Sequence, residues 1–576
     1  MNISNLHPGL IMIGCGFLAM VLPTYVRKLL QLAAPALALY LCFQLTEEST
    51  LPYTITQHLQ VELIHCDRLA WIFLLIFCII AVINAIYGFK VMTGIEAGMA
   101  MIYAGSVMGI TLAGDYLSFI FFWEIAAFSS AYLVYAGHCR RSSRAAFRYL
   151  LVHAFGGNMV LAGFMIHIFH YDLGLANMAN AFDASFWLIL IGVGVNAVLP
   201  PLNSWIVDAY PEGSIGGTVY MASYTTKVGI YALIRLFAGT EFLLYVGVFM
   251  AIYGACMALI ENDMRRLFSY HIVSQLGYMV AALAVAGDYG IAGASAHAFT
   301  NILYKGVLFM AAGAVMYATG KRNISEVGGL AKKMPLTAIC FLIASLAISG
   351  VPYLNGFASK ALISHAMTDT GHPVAGLFLT AASVGTWLSI ALKGNIFIFF
   401  GKTDKDVPCR KVPWSMQLAM VLGTAACVVT GVMPKLLYDI TPTQADGHPF
   451  TPEHIAEYLC LFAGATLVFW LFRRIMAPHD ELSIDFDWFY RKPLKYFVEG
   501  LSKALYAFLS WCDRWTLSGV QYLGTHFGNP RLWTQNSSSE AIRSMSFQNE
   551  DNLIGDIILA VIGTLAAMFI VVMCVI

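Results

Sequence analysis

Five ionisable side chains lie inside apolar stretches long enough to cross a bilayer. Glu124 falls in YLSFIFFWEIAAFSSAYLVY, Lys227 in GGTVYMASYTTKVGIYALI, Lys305 in HAFTNILYKGVLFMAAGAV, Lys360 in SGVPYLNGFASKALISHAM and Lys393 in AASVGTWLSIALKGNIFIFF. An ionisable group at mid-bilayer costs several kcal/mol and by default marks an ion pathway. Glu124 lies nine residues beyond Asp115, hence roughly 13 Å inside the membrane. Lysines near helix ends can instead extend their ammonium groups to the interface. That reading suits Lys393 about as well as a pathway role does, and suits the central Lys227 and Lys305 poorly. His297 stands two turns before Lys305, and Asn301 one turn before it. His153, His167, His170 and His271 carry a weaker signal, because a lone membrane histidine is more often a packing residue than a proton relay. The chemistry on offer is the holding and releasing of protons by groups whose affinity changes with desolvation and pairing.

A second constellation is polar without being charged. The stretch GVGVNAVLPPLNSW, Gly192 to Trp205, is an apolar helix pattern interrupted by Pro200 and Pro201, with Asn196 before the break and Asn203 after it. Proline removes a backbone donor and ends the helix. Backbone groups freed at membrane depth survive only where they line a polar cavity, so this break predicts a hydrated crossing. Pro352, with Gly350 and Gly356, marks a similar break further along.

These residues require a membrane-spanning scaffold. Of 576 residues, 59% are hydrophobic and 11% charged, and the mean hydropathy is +0.71. A soluble domain carries about 25% charged residues. The formal net charge of +0 gives no reason to expect nucleic acid. The twelve cysteines form no CxxC pair, so no iron–sulfur, zinc or dithiol site is expected; nor do flavin, nicotinamide or paired-histidine haem signatures appear. We therefore expect no cofactor, no metal and no catalytic chemistry of the chain's own. Runs of roughly 20 apolar residues number about 16, beginning near Leu10, Leu30, Leu69, Ile95, Tyr116, Ala145, Ser185, Ser214, Phe242, Leu267, Ile291, Leu336, Pro373, Met416, Ile455 and Ile554. Alternate loops are basic (Arg27 and Lys28; Lys90; Arg140, Arg141 and Arg144; Arg265 and Arg266; Lys321 to Lys333; Lys402 to Lys411; Arg473 and Arg474) and acidic (Glu47, Glu62, Asp115, Asp172, Glu241, Asp288 and Asp369). By the positive-inside rule both termini lie outside the cytoplasm. The exceptions are the acidic inner loop from Asp208 to Glu212 and the basic Arg68 among the acidic outer loops.

The fold class expected is an all-α polytopic membrane protein with two inverted five-helix repeats, each containing a broken helix, plus a C-terminal amphipathic segment. The repeats occupy residues 95–240 and 241–402. In each the fourth span is broken and the fifth carries a lysine, Lys227 or Lys393. An odd number of spans inverts the second repeat, as in transporters whose broken helices meet at the midplane. Residues 1–94 and 403–476 supply further membrane helices. Residues 477–552, where Arg491, Lys495 and Lys503 interleave with Trp488, Phe508, Trp511 and Trp515, have the composition of an interfacial helix. They read equally as a partner-binding arm or as a passive linker. Residues 553–576 form a last span.

From about Leu69 to Phe400 the chain resembles the antiporter-like membrane subunits shared by respiratory complex I and Mrp-type multisubunit cation/proton antiporters. The resemblance rests on FFWE with Glu124, DAYPEGSIGGTVYMASYTTKVGIYALIR with Lys227, ENDMRRLFSYHIVSQLGYM, HAFTNILYKGVLF with Lys305, and GGLAKKMP through VPYLNGFASK with Lys360. It implies a proton-translocating subunit of a multisubunit complex in a bacterial-type inner membrane, with Na+ or K+ as alternative coupled ions and other membrane subunits and the lipid bilayer as partners. The glutamate and first-half lysine would form one proton half-channel and the second-half lysines the other. The family usually has lysine where this chain has Asn196, and often histidine at Asn203 and Asn301. Asparagine holds water but stores no proton. The first half-channel would then depend on a Glu124–Lys227 pair, facing each other in a polar pocket, with Lys393 as a compensating charge. The alternative is a non-pumping coupling or scaffold subunit of a redox complex or of an inorganic-carbon uptake complex.

Overall fold

The computed structural model describes residues 6–527, apart from 48, 57–58, 180, 402–406, 446, 479–484, 486–487, 489–491 and 494. The expected last span, the C-terminus and the polar stretch before it lie outside the described residues. The helices run in chain order: α1 (Pro8–Val21), α2 (Thr24–Gln44), α3 (Arg68–Gly88), α4 (Gly94–Leu112), α5 (Tyr116–Tyr135), α6 (Arg140–His170), α7 (Ala184–Asn196), α8 (Ser204–Ala209), α9 (Gly217–Ser223), α10 (Thr225–Phe237), α11 (Phe242–Ile260), α12 (Met264–Val285), α13 (Gly287–Thr319), α14 (Pro335–Ser349), α15 (Asn355–Asp369), α16 (Pro373–Thr386, continuing as a π-helix over Trp387–Phe400), α17 (Trp414–Val432), α18 (Lys435–Tyr438), α19 (Pro452–Leu471) and α20 (Lys495–Phe527). Eleven of the described helices are long and apolar enough to cross a membrane by themselves. Others of the expected spans are built in two pieces: α7–α8, α9–α10 and α14–α15.

Side-chain caps fix many helix starts. Asp67 accepts from Ala70 N at 2.8 Å, Asp115 from Leu117 and Ser118, Asp183 from Phe186, and Asp263 from Arg265 and Arg266. Thr93 and Glu96 form a reciprocal capping box on α4. Such caps satisfy amides that a helix N-terminus leaves open. The helices α3, α4, α12 and α13 are buried along most of their length, as expected of central helices. Outer helices keep large apolar side chains exposed, among them Phe17, Tyr25 and Leu29 on α1–α2 and Leu467 and Leu471 on α19, a surface suited to lipid.

One element departs from the all-helical expectation. Residues Thr50–Thr56 and Leu59–His65 form an antiparallel hairpin, β1–β2, where the sequence suggests only an outer loop. It closes one pole of the bundle: Glu62 accepts from Gly114 N through its backbone oxygen and donates its own amide to Asp115 Oδ2. At this hairpin pole Asp67 also pairs with Arg235, with Nη2 at 2.7 Å from Oδ1. Burial works to raise the Asp67 pKa, but the guanidinium outweighs it and holds the carboxyl below its usual range. At the opposite pole the acidic Asp208–Glu212 stretch is neutralised by arginines from α6 and from the segment after α13. Arg148 Nε lies 2.6 Å from Asp208, and Arg322 bridges Glu212, at 2.8 Å, and Asp263.

The described residues from Trp488 onward belong to a second unit. Within it, α20 is amphipathic and largely exposed, with Phe508, Trp511 and Trp515 in ring contact along one face. At 1.5 Å per residue its 33 residues span about 50 Å.

Candidate functional site

Both proline-marked breaks are present. Between α7 and α8 the backbone leaves the helix after Asn196, and Val198 takes φ +63°. Between α14 and α15, Gly350 and Tyr353 take φ +91° and +69°. A left-handed β-branched or aromatic residue is strained, and such strain persists only where packing over-determines it. The packing is visible in glycines. At Gly229 of α10 a Cβ would come 2.6 Å from the Ala197 amide nitrogen, so α10 lies against the first break at backbone distance. At Gly356 a Cβ would overlap the Ala347 carbonyl oxygen, and at Gly431 of α17 it would come 2.5 Å from the Asn355 amide nitrogen.

Freed carbonyls at the breaks are taken by side chains. In the first break Trp205 Nε1 donates to Val195 O at 2.9 Å. In the second, Lys360 Nζ donates to Ile348 O at 2.9 Å, Ser349 O at 3.2 Å and Ser383 Oγ at 3.0 Å. A third interruption, at Tyr224 between α9 and α10, is closed the same way. Tyr210 donates to Met221 O, Lys227 Nζ donates to Ala222 O at 2.7 Å, and Thr225 N donates to Tyr103 Oη. Lys393, in the π-helical part of the fifth span of the second repeat, donates to Leu259 O and Glu261 O at the end of α11. Lys305, on α13, donates to Phe268 O at 3.0 Å. The four lysines 227, 305, 360 and 393 are thus buried on backbone carbonyls, and among the described residues none forms an ion pair.

This corrects one expectation. Glu124 and Lys227 do not pair. Glu124 is half-buried and rests against Gly157 of α6, where a Cβ would overlap its Oε1. Its helix packs chiefly on α4, α6 and α9, whereas α10 packs on α7 and α12. The physical reason is local: the interruption at Tyr224 offers Lys227 an acceptor five residues back on its own segment.

Around the second-half lysines lies a hydrogen-bond chain that the sequence reveals only in part. Asn301 Nδ2 donates to Tyr304 Oη at 3.0 Å, and Tyr304 donates to Gln275 Oε1 at 3.3 Å. The same amide oxygen is 3.2 Å from His297 Nε2, and His297 Nδ1 is 2.9 Å from Ser359 Oγ. Ser359 also contacts Thr300, and its neighbour Lys360 connects through Ser383 to Tyr278. His271 Nε2 meets Ser389 Oγ at 2.8 Å. Gln275, Tyr278 and Tyr304 are not among the residues that sequence reasoning singles out. Their signal is helical spacing: His271, Gln275 and Tyr278 recur at i, i+4 and i+7 on α12, as do His297, Asn301 and Tyr304 on α13. In the first half the corresponding chain is shorter: Ser130, Tyr149, Thr225 and Tyr103. His153 stacks on Tyr149 at 3.9 Å and abuts Trp205, a packing role at the first break.

Several buried polar atoms in this belt have no hydrogen-bond partner in the protein: Asn84 Oδ1, Asn203 Oδ1, Thr226 Oγ1, His271 Nδ1, Gln275 Nε2, Asn301 Oδ1 and both amide atoms of Asn355. A dry orphan of this kind costs about 1–3 kcal/mol, and ordered water is the usual partner. Asn196 is buried at the end of α7; Pro200, Pro201 and Pro352 lie within the breaks themselves.

Residues 113–388 match the family described as NADH:quinone oxidoreductase/Mrp antiporter, TM. The chain is 33% identical over 277 residues to NADH-quinone oxidoreductase subunit N of Desulforudis audaxviator, covering 44% of this chain and 55% of that one. It is 28% identical over 365 residues to a subunit of the Na(+)/H(+) antiporter of Alkalihalophilus pseudofirmus, covering 59% and 73%. Across the first curated relatives the match spans between 40% and 77% of the relative's length. In fold the chain is similar to a chain of the archaeal membrane-bound sulfane sulfur reductase, with a TM-score of 0.70 at 22% identity, covering 98% of this chain and 99% of that one.

Proposed function

We propose, from the match of residues 113–388 to the NADH:quinone oxidoreductase/Mrp antiporter membrane family, that the chain is a proton-translocating subunit of a multisubunit membrane complex. The observation that carries this reading is the belt of buried lysines and unpartnered polar atoms running through the broken helices. An apolar bundle has no use for such groups unless water enters, and a water chain punctuated by lysines passes protons without bond chemistry. Lys227, Lys305, Lys360 and Lys393 are the proton-holding groups. The chain from Asn301 to Ser359 is the connection between Lys305 and Lys360. Glu124, half-buried on α5, is an access residue rather than a direct partner of Lys227. The two repeats, 95–240 and 241–402, are the two half-channels. The hairpin pole faces outward and the basic pole inward, in a bacterial-type inner membrane; Na+ or K+ is the alternative coupled ion.

The test is proton uptake into sealed vesicles holding the intact complex. Lys305→Met should reduce uptake to background with the subunit still assembled. Wild-type uptake in that variant would remove the proposed path. A second reading has its own observation: the first break is neutral, with Asn196 and Trp205 where a cation would store a proton. In that reading the first half only couples or scaffolds, and Lys227→Met leaves uptake intact while Lys305→Met abolishes it.

A further inference from the structure

Three helix ends meet at the basic pole. α2 begins at Thr24, α3 ends at Gly88 and α17 begins at Trp414, and both α2 and α17 pack on α3. Lys28, one turn into α2, holds its ammonium over the Phe89 ring, 5.1 Å from the centroid. Lys90 holds its own over the Trp414 ring at 5.7 Å. The two rings are themselves in contact, with centroids 6.2 Å apart. Two ammonium groups from separate chain segments therefore flank one aromatic pair. Among the described residues neither ammonium has a carboxylate within ion-pair distance.

An apolar stripe leads away from this pair. α3 is buried along most of its length, but Ile79, Val82, Ile86 and Phe89 stay partly exposed. Their spacing of three, four and three residues puts them on one face of the helix. At 1.5 Å per residue the stripe is about 15 Å long, half of the roughly 30 Å hydrocarbon core of a bilayer. The two neighbouring helices expose large apolar side chains of their own, Leu29 and Leu37 from α2 and Leu418 and Leu422 from α17. Basic residues at this pole are the ordinary outcome of the positive-inside rule, and charge by itself marks no site. Lys28 and Lys90 differ in position: each is held over a ring at a helix end, at the head of a stripe one leaflet long.

We propose that this face binds a phospholipid with an anionic headgroup, its phosphodiester between Lys28 and Lys90 and an acyl chain along the α3 stripe. The proposal rests on the membrane-spanning fold and not on the proton path. An ammonium is attracted to the face of a ring, and it keeps N–H donors for an acceptor outside. Phosphate oxygens are such acceptors, and lysine meets them as a point charge with three donors. A zwitterionic lipid offers the same phosphate with a quaternary ammonium beside it, which two lysines repel. The pair therefore selects for net negative charge, while the stripe selects for a lipid over a free anion.

Trp414 reports on the occupant through its own fluorescence, taken as the difference between the wild-type complex and the complex carrying Trp414→Phe, which keeps a ring under Lys90. The intact complex is reconstituted in phosphatidylcholine vesicles with increasing fractions of phosphatidylglycerol or, separately, phosphatidylcholine, each brominated near the carboxyl end of its acyl chains, because bromine quenches a neighbouring indole. Half-maximal quenching of Trp414 should need a fraction of the glycerol lipid at least tenfold lower. Lys28→Gln and Lys90→Gln should each reduce that preference about fivefold, and together they should abolish it. Lys28→Arg with Lys90→Arg keeps both charges and should retain it, which separates loss of charge from loss of local structure. Equal half-maximal fractions for the two lipids, or a preference that persists in the double glutamine variant, would overturn the proposal. Absence of quenching by either lipid would show that another subunit covers this face, and would overturn it as well.

Discussion

The two broken helices solve one structural problem with different chemistry. Both have a break carbonyl that accepts from a side chain, both place a non-glycine residue at positive φ, and both are pressed at backbone distance by a neighbouring glycine. The first caps its freed carbonyl with the neutral indole of Trp205, the second with the ammonium of Lys360. Around the second, a hydrogen-bond chain links α12, α13 and α15; around the first, the chain is shorter and built of hydroxyls. On the proposed function, each break makes room for water, and the side chain that caps it sets whether a proton is stored there.

The largest effect that would sharpen this contrast concerns the backbone. Gly356→Ala places a methyl group against the Ala347 carbonyl, which cannot yield, and the expected result is no assembled subunit on detergent extraction. At Gly194, in the helix leading to the first break, the nearest obstacle is the flexible end of Leu199 at 3.0 Å. Gly194→Ala should fold, at a cost of about 1–3 kcal/mol, seen as a modest fall in Tm. Equal loss in both variants would mean that the two breaks are equally rigid.

A smaller effect is expected at Asn196. If the neutral break conducts by holding water, Asn196→Leu should lower proton uptake severalfold without loss of assembly. If the break is only a structural crossing, the variant keeps full uptake and gains stability, since a buried polar group has been replaced by an apolar one. Stopped-flow uptake and thermal unfolding on the same preparation separate these outcomes.

Much of this is legible in the sequence because bilayer thickness and helix rise leave few choices. The starts expected at Tyr116, Phe242 and Pro373 are the observed ones, and proline announces both breaks. The hairpin at residues 50–65 is not legible: its strands are only seven residues each, and β1 is almost wholly exposed. The acidic Asp208–Glu212 loop looks anomalous in sequence only because Arg148 and Arg322, which neutralise it, are distant in the chain. The partner of Lys227 is hidden for a related reason. Charge pattern suggests Glu124, whereas the interruption at Tyr224, which no proline or glycine announces, supplies a carbonyl instead.

The smallest expected effect lies at the hairpin pole. Asp67 has a depressed pKa in the folded chain, so its contribution is present above the ordinary carboxylate range and is lost as pH falls through the folded value. The side chain is 37% exposed, and solvent screening keeps the contribution small. Between neutral pH and about pH 3, Tm should fall slightly more in the wild type than in Asp67→Asn; parallel curves would show that the Arg235 pair adds nothing.

On the proposed function, the cation-capped break carries the proton path. Proton uptake by the intact complex in sealed vesicles, compared between the wild type and Lys360→Met, tests it most directly. Uptake should fall to background in Lys360→Met, with the subunit still assembled; wild-type uptake in that variant would remove Lys360 from the path.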